Sequence, residues 1–210
     1  NTPNARTITT SYYGANSQPF IIISPETRIE NGYVSHNGGL LLAKQTITDR
    51  TTNAVRTTTF TYNPAGLLAT IDGPRTDVND ITRFEYNAQG LRTKTTNALG
   101  HSTTITTFNA TGKPTTITDA NGDTITLTYD VMGRLLSTQQ AEQIKHFAYD
   151  ANGLLVQSTL ANGSTIDYEY DTASRLIAMV DSLGNRLDYQ LDAAGNRLQT
   201  QAKDINGSLQ

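Results

Sequence analysis

The sequence contains no cysteine. Disulfide bonds and thiolate metal ligands are therefore excluded, and with them the small scaffolds that depend on disulfides for stability. An excess of positive charge is also missing, since 16 Lys and Arg residues stand against 19 Asp and Glu residues and give a net charge of -3. Without a basic surface that could attract phosphate groups, we expect no nucleic-acid partner.

Long hydrophobic segments are absent as well. Apolar runs such as residues 20–23 are far shorter than the roughly 20 residues that a membrane helix needs, so we expect no membrane insertion. No basic segment followed by an apolar stretch opens the chain, and we expect residue 1 to lie inside a longer polypeptide. Hydrophobic residues make up 36% of the chain, below the roughly 45–50% of typical globular domains. This composition predicts that no thick core is buried.

What the sequence does contain is a repeated pattern. An aromatic residue, which we call the anchor, is followed by Asn or Asp, two variable residues and Gly. The copies follow one another at a step of about 21 residues. Clear copies begin at Tyr62, Tyr86, Phe108, Tyr129 and Tyr149; degenerate copies begin at Tyr170 and Leu191, and two weaker ones at Tyr13 and Ser35.

Each repeat is predicted to contain two strands. Before one anchor, Ile125, Leu127 and Tyr129 alternate with threonines, which is the pattern of a strand with one apolar and one polar face. The Asp or Asn after the anchor favours an Asx-turn and the following Gly accepts a positive φ, so the motif itself is predicted to be a turn. A second turn signal, such as residues 119–122, recurs about half a repeat away.

The predicted fold class is all-β. We expect tandem two-stranded antiparallel hairpins that form a curved or spiralling sheet. Residues 1–55 are predicted to hold degenerate N-terminal repeats, and residues 56–210 one continuous β-repeat domain. The longer intervals at residues 48–55 and 72–80 are predicted to be extended loops at second turns.

Residues 129–136, Tyr-Asp-Val-Met-Gly-Arg-Leu-Leu, resemble the Tyr-Asp-x-x-Gly-Arg-Leu core of the YD repeat, and residues 119–122 resemble the Asp-x-x-Gly turn that often precedes it. The resemblance recurs across residues 56–200. This YD-repeat or RHS-repeat family includes bacterial RHS proteins, the C components of toxin complexes and the teneurins. The resemblance implies a fragment of a hollow shell that is secreted or lies at the cell surface. In the bacterial members such a shell encloses a C-terminal toxin domain.

The resemblance also implies that the motif residues are structural. The anchors would stack in a ladder and the glycines would form turns. Because Phe108, Ser174 and Leu191 depart from the pattern, we expect the ladder to weaken at those steps. The predicted motif residues are Tyr62, Gly66, Tyr86, Gly90, Phe108, Gly112, Tyr129, Asp130, Gly133, Arg134, Tyr149, Asp150, Gly153, Tyr170, Asp171, Arg175, Asp192 and Gly195.

We expect no catalytic activity, no cofactor and no metal. His36, His101 and His146 are far apart in the sequence, and the chain has no Gly-x-Ser-x-Gly elbow. Residues 119–123 space three oxygen-bearing side chains as a calcium loop does, but the Gly falls too early and a hairpin turn explains the same residues. The carboxylates of Asp167 and Glu169 are predicted to take part in an ion-pair ladder with partners such as Arg175 and Lys145.

Two kinds of partner follow from these expectations. As a shell segment, the chain would contact the remainder of its parent polypeptide and an enclosed C-terminal domain. Its exposed sheet edges could also pair with another copy. The alternative is a cell-surface adhesion module that binds carbohydrate, since tyrosine rings offer an apolar face and a polar tip.

Overall fold

The computed structural model describes residues 8–13 and 18–209 of the chain. These residues form eighteen β-strands, and no helix occurs among them. None of the described segments is therefore a helix that could cross a membrane. The chain divides into two compact units, residues 1–105 and residues 106–210. The predicted boundary after residue 55 separates degenerate repeats from the continuous repeat domain, and it stays a prediction.

The strands follow one another along the chain with short connections. The first unit holds β1 (Thr9–Tyr13), β2 (Gln18–Ile23), β3 (Thr27–His36), β4 (Gly39–Asp49), β5 (Val55–Tyr62), β6 (Leu68–Asp72), β7 (Ile81–Tyr86) and β8 (Arg92–Thr96). Strand β9 (Ser102–Phe108) runs across the boundary. The second unit holds β10 (Pro114–Thr118), β11 (Thr124–Tyr129), β12 (Leu135–Gln140), β13 (Gln143–Tyr149), β14 (Leu155–Thr159), β15 (Thr165–Tyr170), β16 (Leu176–Asp181), β17 (Arg186–Leu191) and β18 (Arg197–Lys203).

Within each unit, consecutive strands pair antiparallel. The register shifts by one residue immediately before an anchor, for example between Thr128 and Tyr129 and between Glu169 and Tyr170. The shift is a β-bulge in the following strand, where Leu136 and Ile177 are the extra residues. The alternation in the sequence predicted the strands, but it gave no sign of this bulge.

The anchor turn, which comprises the four residues after each anchor, has the predicted construction. In residues 130–133, the backbone N–H of Gly133 donates to the carbonyl of Asp130 at 2.9 Å. One carboxylate oxygen of Asp130 accepts the backbone N–H groups of Met132 and Arg134 at 2.9 and 2.8 Å. Gly133 has a φ of 79°, a left-handed conformation in which a Cβ is unfavourable. The second turns repeat this design, as at Asp181.

Three details differ from the sequence-based expectations. The turn between β3 and β4 consists of residues 37–38, so Gly38 and not Gly39 has the positive φ. The turn between β12 and β13 is a two-residue hairpin with Ala141 at a φ of 51°, which no Gly or Asn announced. Strand β4 continues to Asp49, so the loop expected at residues 48–55 is shorter. The turn after Tyr13 falls outside the described residues.

The backbone pairing of the strands continues at Ser174 and Leu191, whereas the expected weakening concerned the ladder of anchor rings and stays a prediction. Ser174 adopts the glycine conformation with a φ of 61°, and its N–H donates to the carbonyl of Asp171 at 2.9 Å. Five residue pairs join β15 to β16, and six join β17 to β18. A short polar residue tolerates the left-handed region at modest cost, so the backbone continues through the substitution.

The register gives the paired strands of each unit two faces of different composition. We call them the tyrosine face and the threonine face. In the second unit the tyrosine face includes Ile125, Leu127, Tyr129, Lys145, Ile166, Tyr168 and Tyr170, and the threonine face includes Thr124, Thr126, Thr128, His146, Asp167 and Glu169.

Neither unit encloses a core. Among the described residues, Ala178 is the only buried apolar side chain, and no large side chain is fully buried. The predicted all-β hairpin repeat is therefore confirmed, and so is the absence of a thick core.

Candidate functional site

The anchor tyrosines connect each repeat to the one before it. The Tyr149 hydroxyl donates to the carbonyl of Leu135 at 2.9 Å, and Leu135 is the first residue of the strand that follows the preceding anchor turn. The Tyr170 hydroxyl donates to Leu155 in the same way at 2.9 Å. Partial burial raises the pKa of Tyr170, which keeps the hydroxyl protonated as a donor. Equivalent bonds join Tyr62 to Leu42, Tyr86 to Leu68 and Tyr129 to Pro114 at 2.7, 2.8 and 2.9 Å.

The arginine after the turn glycine bridges two successive anchor turns. Arg134 Nε donates to the Asp130 carboxylate at 2.6 Å, and its guanidinium carbon lies 4.9 Å from the centre of the Tyr149 ring. Its Nη1 also lies 3.4 Å from the carbonyl of Asp150, the first residue of the next turn. The backbone N–H of Arg134 and then its side chain lower the pKa of the Asp130 carboxyl. One side chain thus connects its own turn to the next anchor.

Arg175 repeats this arrangement one step further along the chain. Its Nε donates to the Asp171 carboxylate at 2.7 Å, and its Nη1 donates to the carbonyl of Asp192 at 3.0 Å. The backbone N–H of Arg175 lowers the pKa of Asp171. Since Leu191 replaces the next aromatic anchor, Arg175 has no anchor ring on which to stack. The contact that Arg134 and Arg175 share is therefore the one to the carbonyl of the first residue of the next anchor turn.

The turn glycines also lie beneath a side chain of the preceding repeat. A Cβ on Gly133 would come within 2.8 Å of Lys113 Cε, and a Cβ on Gly66 within 2.6 Å of the His36 ring. Lys113 additionally lies 5.5 Å from the centre of the Tyr129 ring. The sequence predicted these glycines from turn conformation alone. Packing between repeats is a second reason why these positions require glycine. It also gives Lys113 and His36 packing roles that the motif did not reveal.

The threonine face is connected by hydroxyl groups. The side-chain oxygens of Thr128 and Ser137, which lie opposite each other on β11 and β12, are 2.7 Å apart. Directly opposed hydroxyl pairs of this kind stabilise antiparallel strands. Further pairs are Thr46 with Thr57, Thr61 with Thr70, Thr96 with Ser102, and Thr118 with Thr124, at 3.3, 2.7, 2.9 and 3.1 Å.

An ionic network crosses the same face over four strands, from β15 to β18. Arg186 forms a bidentate pair with Glu169, both bonds being 2.7 Å, and its Nε donates to Asp188 at 2.6 Å. Lys203 Nζ donates to the other oxygen of Asp188 at 2.6 Å. Ala178 lies in register between Glu169 and Asp188 and is 0% exposed. This small side chain leaves room for the guanidinium to reach across β16.

The partners predicted for these carboxylates were wrong. Glu169 pairs with Arg186, and Arg175 is engaged with Asp171 in its own turn. Asp167 accepts a hydrogen bond from Gln157 at 2.7 Å. The bond from Arg186 lowers the pKa of Glu169, and the bonds from Lys203 and Arg186 lower that of Asp188. Both carboxylates are therefore held in the charged form by these bonds.

The histidines lie in separate structural contexts. His36 ends β3 and its Nε2 lies 3.1 Å from Asn37 Nδ2, His101 follows a second turn, and His146 lies exposed on β13. The calcium-like segment is a hairpin turn in which Asp119 accepts the backbone N–H groups of Asn121 and Asp123. No group of three or more metal-ligating side chains was found among residues 8–13 and 18–209.

Comparison with known proteins supports a shell architecture. The family model described as the teneurin YD-shell matches residues 103–200. No curated protein sequence matches significantly. The fold is similar to the solved structures of TcdB2-TccC3 without its hypervariable C-terminal region and of TcdB2-TccC3-Cdc42, with TM-scores of 0.69 and 0.67, and to that of a Photorhabdus luminescens Tc holotoxin pore, with a TM-score of 0.65. Each is 20% identical over 93%, 90% and 90% of this chain, respectively.

The resemblance to the YD-repeat family is thereby confirmed. Residues 103–200 carry the YD-shell pattern, and the all-β repeat matches a fragment of such a shell. The chain spans only 11% of the length of each of these three solved chains. The comparisons thus establish the architecture of a segment, and the activity of a whole protein is a separate question.

Proposed function

We propose that this chain is a wall segment of a YD-repeat shell, which encloses or presents another domain of its parent polypeptide and has no catalytic activity of its own. The observation that carries the proposal is the absence of any enclosed core among the described residues, combined with bonds that join each repeat to its neighbours. A protein that buries no large side chain gains its stability from contacts between successive repeats. Such a sheet is suited to being a wall.

The chemistry of the two faces supports this function. The threonine face is lined by hydroxyl pairs and ion pairs, whereas the tyrosine face near the second turns holds apolar side chains such as Ile166, Met179 and Leu187. A wall separates two compartments, so its two surfaces are expected to differ. The motif residues would keep the repeats in register, and this role for them is part of the proposal.

The alternative, carbohydrate binding by the anchor tyrosines, receives less support. Sugars stack on exposed aromatic faces, but Lys113 covers the Tyr129 ring and Arg134 covers the Tyr149 ring. The tyrosine hydroxyls are also engaged with backbone carbonyls. By analogy with the toxin-complex structures, the partners would be the rest of the parent polypeptide and an enclosed domain, and the location would be secreted or at the cell surface.

Size-selective labelling of single cysteines tests the proposal, because the chain has no cysteine of its own. Thr126→Cys places a thiol on the threonine face, and Lys145→Cys places one on the tyrosine face; both positions are exposed. In the parent polypeptide, with any other cysteine replaced, a small maleimide should label both thiols. A maleimide carrying a large polymer should label only the thiol on the outer surface.

The isolated 210-residue chain is the matched control, since both thiols should react with both reagents there. Equal labelling of the two positions by the large reagent in the parent polypeptide would contradict enclosure. It would favour an open module with two solvent-facing surfaces.

A further inference from the structure

The sequence contains six Asn-Gly pairs, and the structure places them in different environments. In such a pair, the backbone nitrogen of the glycine can attack the side-chain carbonyl carbon of the asparagine, because no Cβ hinders the approach. The reaction needs an accessible amide and a glycine nitrogen that can give up its proton. Hydrogen bonds to either group oppose it.

Five of the pairs are protected by the fold. Asn31 is 6% exposed, its Nδ2 donates to the carbonyl of Pro19 at 2.8 Å, and its Oδ1 accepts from Gln45 at 3.0 Å. In the other four, the N–H of the glycine is used inside the turn. Gly122, Gly153, Gly163 and Gly207 donate to the carbonyls of Asp119, Asp150, Leu160 and Asp204 at 3.2, 3.1, 2.9 and 2.9 Å.

In the sixth pair, Asn37 and Gly38, the glycine N–H lacks this protection, and the contact of the Asn37 amide nitrogen with His36 Nε2, at 3.1 Å, is exposed to solvent. Both residues are exposed and form the two-residue turn between β3 and β4, with φ values of 47° and 81°. No acceptor for the Gly38 N–H is found among the residues that the structure describes. The space around Gly38 is open, since a Cβ placed there would meet no atom within 4 Å. The nucleophile and the amide are therefore both accessible to solvent.

We propose that Asn37 is a site of spontaneous deamidation in the folded protein. The Gly38 nitrogen forms a bond to Cγ of Asn37, the bond from Cγ to Nδ2 breaks, and the Gly38 proton leaves with the amide nitrogen as ammonia. Water then opens the resulting succinimide at one of its two carbonyls. The products are aspartate or isoaspartate at position 37, with no net oxidation or reduction.

The modification would change the longest hairpin of the first unit. Aspartate places a carboxylate beside His36, whose Nε2 lies 3.1 Å from the amide nitrogen that is lost. Isoaspartate also inserts one carbon into the main chain of a turn that joins strands of 10 and 11 residues. Because the His36 ring packs over Gly66, a change at position 37 would extend to the anchor turn of the next repeat.

Peptide mapping by mass spectrometry of the aged 210-residue chain tests the proposal. Asn37 should be converted at least about fivefold faster than Asn121, Asn152, Asn162 and Asn206, since each of those glycine amides would first have to give up a hydrogen bond. Isoaspartate is measured independently by enzymatic methylation of its carboxylate. An Asn37→Gln variant should lose most of the methyl-accepting signal.

The same chain unfolded in concentrated urea is the internal control. There all six pairs should react at similar rates, which shows that the difference arises from the fold and not from the neighbouring sequence. The proposal is overturned if Asn37 in the folded chain reacts no faster than the four turn asparagines. It is equally overturned if the same preference for Asn37 persists in urea.

Discussion

The Tyr149→Phe substitution isolates a single contact between repeats. It removes only the hydroxyl, which donates to the Leu135 carbonyl at 2.9 Å, and it leaves the ring beneath Arg134 in place. A hydrogen bond of this kind contributes about 0.5–1.5 kcal/mol net. Since Tyr149 and Leu135 are half-buried, water can partly replace the lost partner. We therefore expect a loss of about 1 kcal/mol in the free energy of unfolding.

Urea unfolding of the 210-residue chain measures this loss as a lower midpoint at an unchanged slope. Tyr12→Phe is the matched control, because Tyr12 is 60% exposed and the same atom is removed. Repeat arrays depart from two-state unfolding, so amide hydrogen exchange should accompany the titration. Protection should fall in β12 and β13 and stay unchanged in β4 to β6.

Two results would refute the reasoning. One is a Tyr149→Phe effect no larger than that of Tyr12→Phe, since surface substitutions remain within about 0.5 kcal/mol. The other is a uniform loss of protection across both units. Either would show that the anchor hydroxyl does not connect neighbouring repeats.

Three further predictions concern other parts of the repeat. Leu191→Tyr restores the missing anchor and should stabilise the chain by about 0.5–1.5 kcal/mol in urea unfolding through a new bond to the preceding repeat; an unchanged midpoint would contradict this. Arg186 lowers the pKa of Glu169, so the stability from this partly exposed pair, about 0.5–1 kcal/mol, is complete above the ordinary Glu value of 4.5 and is lost as the pH falls below it. Glu169→Gln should remove that pH dependence, and an unaltered profile would exclude the pair as its source. Gly122→Ala should cost about 1–2 kcal/mol from conformation alone, whereas Gly133→Ala should cost more because its Cβ meets a side chain of the preceding repeat; equal midpoints would argue against that contact.

The strands and turns were predictable because their signals are local. A period of two and an Asp or Asn before Gly determine a hairpin within about ten residues. The turn at residues 141–142 was missed because its sequence contains neither Gly nor Asn, although the regular spacing of Tyr129 and Tyr149 left room for a turn there.

The contacts between repeats could not be predicted in the same way. Arg186 on β17 and Glu169 on β15 are separated by β16. Arg186 reaches Glu169 because β16 presents only the small side chain of Ala178 at that place. This arrangement depends on the register of two strand pairs and on the bulge at Ile177. The sequence identified Arg134 as a motif residue, but its bond to the next turn requires the bulged register. Contacts that depend on the register between distant strands could therefore not be predicted from these local signals.

A high-resolution map of the parent polypeptide tests the central claim most directly. We predict that residues 103–200 form a single-layered wall, with the tyrosine face on one side, the threonine face on the other, and a cavity holding density for another domain against one of them. A map in which the tyrosine face packs against a second sheet to form a solid apolar core would contradict the account.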